Sequence, residues 1–226
     1  MPRIVVFLGP SLPRDEAERF LKEKGIQDAE CLPPAKRGDI YRAARDCAKI
    51  ICLIDGVFFQ DCSVAHKEVL FAMERGARVI GASSMGALRA SELDVYGMEG
   101  VGEIYQAYRS GDLISDDEVA LIFDPFTFEP LSEPLVNIRF NLYLAQKSGI
   151  IDAVARERLF EAARSLYFPE RTYERVLLAS ETLVPKDALE RLRDYLKDRR
   201  RDFKREDAVT ALERVKEIAL EIAKGV

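Results

Sequence analysis

Ser84 sits in Ala82-Ser83-Ser84-Met85-Gly86, a small-x-Ser-x-small arrangement that matches a nucleophile elbow with Ala in place of the first Gly. The short apolar run Ala77 to Ile80 precedes it and the helix-forming Ala87 to Leu93 follows, which is the strand-to-helix context an elbow needs. Small residues at 82 and 86 let the backbone turn sharply. The start of the following helix would aim the Met85 N–H at a developing oxyanion. Two plainer readings stand beside this one: Ser83 or Ser84 caps the helix, or the turn holds a phosphate without reacting.

A serine nucleophile needs a base. The single histidine, His66, is followed by Lys67 at the start of a predicted helix, and Lys36 lies in the loop Pro33-Pro-Ala-Lys-Arg-Gly-Asp39. A lysine partly desolvated over a sheet edge has its pKa lowered, which makes a neutral amine available to take the serine proton. Lys67 is preferred because its helix flanks the Ser84 strand, Lys36 is the reserve, and His66 caps, orients or packs. Arg89 and Glu92, three apart on the helix after the elbow, form a local pair, with substrate-carboxylate binding by Arg89 as the sharper reading. Asp116-Asp117-Glu118 reads as a solvated acidic turn, with a cation site as its alternative.

The elements that position these residues alternate. Arg3 to Leu8 is a strand closed by Gly9-Pro10, and an amphipathic helix opens after Pro13. Glu30 to Leu32 is a short strand, Asp39 to Cys47 a helix, and Ile50 to Ile54 a strand stopped by Asp55-Gly56. Val64 to Arg75 is a helix ended by Gly76, and it leads into the Ala77 to Ile80 strand. This pattern predicts an α/β fold, a parallel sheet flanked by helices in the N-terminal part, followed by a helical C-terminal region. Ligands of such sheets gather at the strands' carboxyl ends, where Gly9-Pro10-Ser11, Asp55-Gly56 and Ser83-Ser84 all fall. Val119 to Phe123 is a further strand candidate. The division expected is an α/β core over 1–145 and a helical extension over 146–226 that packs on the core or on a partner. Its last helix, Asp207 to Lys224, carries the apolar stripe Val209, Leu212, Val215, Ala219 and Ile222.

Composition narrows the class. The chain has 226 residues, 48% hydrophobic and 32% charged, enough to bury one sizeable core. No apolar stretch approaches the roughly 20 residues of a membrane span. The run Ile4 to Leu8 is too short for a signal peptide, so the expected location is the cytoplasm. A net charge of -5 gives no attraction to nucleic acid. The basic run Lys197 to Arg205 reads as a solvated helix face, with a docking patch for an acidic partner as its alternative. The four cysteines form no Cys-x-x-Cys pair and no zinc spacing, so they are expected to be reduced thiols. No metal is expected.

Several segments together resemble the TfuA family. They are Val6-Phe-Leu-Gly-Pro-Ser-Leu12, Pro33-Pro-Ala-Lys-Arg-Gly-Asp-Ile-Tyr41, Ile54-Asp-Gly-Val-Phe58, His66-Lys-Glu-Val-Leu70 and Gly81-Ala-Ser-Ser-Met-Gly-Ala-Leu-Arg-Ala90. Gly97 to Tyr105, Asp116 to Ala120 and Leu131 to Arg139 carry the likeness over roughly residues 3 to 145.

The resemblance implies a sulfur-delivery partner of a YcaO enzyme, the enzyme that uses ATP to activate a backbone amide for thioamidation. It implies hydrolysis of a thiocarboxylated, ThiS-type sulfur-carrier protein by a Ser/Lys pair, carried over here as Ser84 and Lys67. Ser83, Met85, Gly86, Arg89, Gly9, Pro10, Asp55, Gly56, Lys36 and His66 are the surrounding substrate-binding or oxyanion candidates. No cofactor is expected in this chain, because the ATP belongs to the YcaO partner. The thioamidation client would be methyl-coenzyme M reductase in an archaeon and a ribosomally made peptide in a bacterium. A noncatalytic adaptor that tightens YcaO on its substrate is the competing reading.

Overall fold

The computed structural model describes residues 2–58 and 62–224. The strands β1 (Ile4–Phe7), β2 (Ala29–Leu32), β3 (Ile50–Leu53), β4 (Arg78–Gly81) and β5 (Glu99–Gly100) alternate with helices α1 (Arg14–Glu23), α2 (Asp39–Arg45), α3 (His66–Glu74) and α4 (Met85–Leu93). They form one five-stranded sheet in the order β2-β1-β3-β4-β5, and every pairing is parallel. All residues of β1 and β3 are buried, as central parallel strands covered on both faces must be. The order reverses direction between β1 and β3, and in doubly wound sheets the crevice at that reversal takes the ligand.

The chain divides into two compact units, one of residues 1–116 with 204–226 and one of residues 117–203. These bounds differ from the expected 1–145 and 146–226. In the first unit α5 (Glu103–Ser110) follows β5, and the helix α10 (Phe203–Lys224) returns to the sheet. Ala208, Ala211, Leu212, Val215, Ile218 and Ala219 of α10 share a core with Ile4, Val6, Ile50, Cys52 and Ile80 of the strands and Leu21 of α1. The apolar stripe of the last helix therefore covers this chain's own sheet. In the second unit α6 (Leu135–Lys147), α7 (Ala153–Ser165), α8 (Tyr173–Ala179) and α9 (Lys186–Arg199) enclose a core of their own, built on Leu142, Leu159, Leu177 and Leu192.

Three local expectations are corrected. Val119 to Phe123 is no strand: the one pairing there is an isolated bridge from Phe123 to Pro130, because the N–H groups that would extend it, those of Ile122 and Glu129, are taken by the Ser132 and Thr127 hydroxyls. Lys197 to Arg205 is not one solvated helix face. The Asn141 side chain bonds both the N–H and the carbonyl of Arg201, and the Asn137 side-chain Oδ1 accepts the Phe203 N–H at 3.1 Å, so the chain breaks between α9 and α10. Within that run Lys204 is buried and Arg205 pairs with Glu16. Asp116-Asp117-Glu118 is not a free acidic turn, since Asp117 pairs with the buried Arg171 and Glu118 with Arg139. Among the described residues no group of His, Cys, Asp and Glu could hold a metal ion, and no helix is long and apolar enough to cross a membrane.

Candidate functional site

The turn from β4 into α4 is tight because two glycines allow it. A Cβ on Gly81 would overlap the Gly86 carbonyl, and one on Gly86 would overlap the Leu53 carbonyl. Gly81 and Gly86, rather than Ala82 and Gly86, are thus the small residues on which closure depends. Between them Ser83 takes φ 65°, in the left-handed region that L residues rarely adopt. The Ser84 N–H closes the turn on the Ala82 carbonyl at 2.8 Å.

Three strand ends meet at this turn through one buried carboxylate. Asp55, just beyond β3, accepts the Gly9 N–H at 2.8 Å and the Ser11 N–H at 3.0 Å on Oδ2, and the Ser11 hydroxyl at 2.6 Å on Oδ1. The Ser83 hydroxyl donates to Ser11 Oγ at 2.9 Å. Asp55, Ser11 and Ser83 are all at least 97% buried, so a carboxylate in this place depends on those donors.

Ser84 stands apart from that chain. The residue is 2% exposed, yet its hydroxyl makes no hydrogen bond with a described residue and does not cap α4. The Met85 N–H, the first of the helix, has no acceptor among the described residues, whereas the Gly86 N–H is taken by the Ile54 carbonyl at 3.2 Å. The Ile54 and Asp55 N–H groups both bond the Phe7 carbonyl and the Val57 N–H bonds the Ala35 carbonyl, so regular strand alternation ends here, and the N–H of the buried Gly56 has no acceptor among the described residues. Gly56 also sits hard against the elbow, because a Cβ there would lie 2.7 Å from Met85 Cγ. The Ser84 hydroxyl and the Met85 N–H that follows it thus stand without a partner among the described residues at the positive end of a helix, with Gly56 packed against Met85.

A family model described as TfuA-like protein matches residues 55–172, just over half of the chain. The chain belongs to the TfuA-like family. Membership suggests a role in the YcaO-associated thioamidation system, with a YcaO enzyme as the partner. No curated protein matches the chain. The matched segment opens on Asp55 and takes in Gly56, Ser83, Ser84 and Met85, while Gly9 and Ser11 of this TfuA-like protein lie ahead of it.

None of the candidate bases bonds to the elbow. Lys67, in the first turn of α3, is exposed, makes no ion pair with a described residue and has no hydrogen bond to Ser84. Lys36 is exposed on the loop that runs along Gly56, where the Ala35 N–H bonds the Asp55 carbonyl at 2.9 Å. The buried Glu68 accepts the Gly38 N–H at 2.8 Å and the Ala65 N–H at 3.3 Å, which ties the Lys36 loop to the first turn of α3. Both lysines therefore stand on segments joined at one junction. His66 Nε2 lies 2.8 Å from Glu92 Oε2, Arg89 Nη1 donates to the same oxygen at 2.6 Å, and Arg89 Nε donates to the Val64 carbonyl at 2.9 Å. His66 and Arg89 thus belong to a bridge between the start of α3 and the middle of α4.

The structure brings together Gly9, Asp55, Gly56, Ser83, Ser84, Met85 and Gly86 from the sequence-based candidates, with Pro10 half-buried beside them. Ser11 was overlooked as a site residue. The signal for it was its place in Gly9-Pro10-Ser11, one of the three strand ends. The cysteines stay outside: burial pushes the Cys31 thiol up to about 11 and the Cys52 thiol higher still, while Cys47 and Cys62 are exposed.

Proposed function

We propose that this TfuA-like protein delivers sulfide to a YcaO enzyme by hydrolysing a thiocarboxylated, ThiS-type sulfur-carrier protein, with Ser84 as nucleophile. The observation that supports this reading is the Ser84 hydroxyl, without a partner among the described residues, followed directly by the unengaged Met85 N–H at the start of α4. Ser84 Oγ attacks the carrier's C-terminal thiocarboxylate carbon and gives its proton to the base, for which Lys67 is the first candidate and Lys36 the reserve. The oxyanion meets the Met85 N–H and the start of α4. Collapse breaks the C–S bond, the base returns the proton to sulfur, and hydrosulfide leaves. Water then cleaves the acyl ester, releasing the carrier's carboxylate and restoring the serine. Sulfide leaves far more easily than an amine, so a two-residue apparatus suffices. The YcaO partner consumes the ATP and places the sulfur in its peptide or protein client.

The test is sulfide release from a purified thiocarboxylated carrier by the native chain and by Ser84→Ala. Release by the native chain that disappears in the variant supports the hydrolase. Full thioamidation by YcaO with the Ser84→Ala variant would favour the adaptor, a reading supported by the absence of any hydrogen bond from Lys67, Lys36 or His66 to Ser84.

A further inference from the structure

The Asp55-Ser11-Ser83 chain stops one residue short of the hydroxyl assigned to attack, and its geometry explains why. Ser11 has one hydroxyl proton and gives it to Asp55 at 2.6 Å, so its lone pairs are left to receive the Ser83 proton at 2.9 Å. The direction of the chain is therefore fixed, and so is the Ser83 side chain. Ser83 holds φ 65° without being glycine, and a side chain in that region costs conformational energy that surrounding contacts must offset.

Ser83 is also poorly suited to attack. It has no exposed surface, and the N–H that would serve its oxyanion, that of Ser84, is spent on the Ala82 carbonyl at 2.8 Å. The corresponding donor for Ser84, the Met85 N–H, is unengaged.

We propose that Asp55 and Ser11 are positioning residues that act through Ser83, clamping the left-handed turn so that the Ser84 hydroxyl and the Met85 N–H keep their mutual placement. This rests on the reading of Ser84 as nucleophile. The clamp spans β1, β3 and β4, and a loosened turn would misplace both reacting groups at once.

Glycine provides the discriminating variant, because it adopts positive φ without strain and so replaces the clamp while deleting the hydroxyl. The substrate probe is a synthetic peptide thiocarboxylate ending in Gly-Gly, with hydrolysis followed by sulfide release. Ser83→Ala and Ser11→Ala should each lose about tenfold in kcat with KM nearly unchanged, the scale of one strained left-handed residue, and Ser83→Gly should recover most of that loss. Loss in Ser83→Gly as deep as in Ser83→Ala, with activity kept in Ser84→Ala, would make Ser83 the nucleophile and overturn the clamp. If the native chain shows no Ser84-dependent hydrolysis, the hydrolase reading fails, and thermal unfolding decides the clamp alone. Ser11→Ala should then lower the unfolding midpoint less in combination with Ser83→Gly than by itself, and strictly additive shifts would refute the coupling.

Discussion

At the start of α5 the Glu103 and Ile104 N–H groups both donate to the Asp207 carboxylate at 2.8 Å, whereas at the start of α4 the Met85 N–H has no acceptor and the Ser84 hydroxyl reaches no backbone group. Both helices leave the same sheet; the α4 start is buried, while at the α5 start Gly102 is half-buried, Glu103 exposed and Ile104 buried. The α5 start is shaped around its cap: Gly102 takes φ 95°, and a Cβ there would overlap the Asp207 carboxylate. A buried helix-start donor without an acceptor is unfavourable, and at α4 only the Met85 N–H is in that position, since the Gly86 and Ala87 N–H groups bond the Ile54 and Ala82 carbonyls. In the TfuA-like chain that open donor, the group that the proposed hydrolysis assigns to the oxyanion, directly follows the serine of the elbow.

The sharpest way to break this comparison is to remove the Ser84 hydroxyl. Because that group bonds nothing, Ser84→Ala should leave thermal stability within about 0.5 kcal/mol, while sulfide release falls by roughly 10⁴-fold, as when a serine nucleophile is lost from a catalytic set. A stability loss several times larger would mean that the hydroxyl is a cap after all. Lys67→Ala comes next. It has no ion pair with a described residue to lose, so the fold should be intact, and removal of a general base should cost on the order of 10²-fold in sulfide release. Unchanged turnover would transfer the role to Lys36, whose loop Glu68 holds against the same helix start.

At the satisfied start the effect should appear in stability alone. Asp207→Ala strands the buried Ile104 N–H and the part-buried Glu103 N–H, at an expected cost of about 2 kcal/mol by urea unfolding, and reactivity at Ser84 should be unaffected. Equal damage to turnover would show that the two helix starts are coupled.

How much of this contrast was legible in the sequence differs between the two places. The α4 start announced itself through an apolar strand, a Ser-Ser turn and a helix former, and the Asp55-Gly56 stop after β3 was equally plain. The left-handed φ of Ser83 was not legible, because two adjacent serines look alike and only the closed turn distinguishes them. Nor was the Ser11 contact, which depends on β1 and β3 being neighbours in register. The α5 start was hidden for a stronger reason. Its cap comes from α10, about a hundred residues later, and its strand β5 is a two-residue pairing of Glu99–Gly100 with no apolar run to betray it. Val119 to Phe123 showed the opposite failure, a β-rich run whose ladder N–H groups are taken by neighbouring side-chain hydroxyls.

The pH dependence should follow the satisfied start. Burial pushes the Asp207 carboxyl up to about 7, against the two N–H groups that favour its charged form. A folded pKa above the unfolded value of about 3.9 means that the folded state binds more protons between those two values. The contribution is therefore fully present below pH 4 and is lost as pH rises to about 7, with a slope of up to ~1.4 kcal/mol per pH unit. Urea unfolding between pH 5 and 8 should show that decline, and Asp207→Asn should flatten it. An unchanged slope in the variant would assign the titration to another group.

The smallest effect should come from His66. Its contact with Glu92 bridges α3 and α4 at the surface, with side chains 48% and 36% exposed, and solvent screening leaves such pairs worth about 0.5 kcal/mol. Arg89 already donates to the same Glu92 oxygen and to the Val64 carbonyl, so the helix pair keeps a tether when the imidazole is removed. His66→Ala should lower stability by no more than that amount and leave sulfide release within about twofold. A deep loss of turnover with the fold intact would mean that the imidazole leaves Glu92 during the reaction and serves Ser84, and the open helix start would then be attended by His66 in place of Lys67.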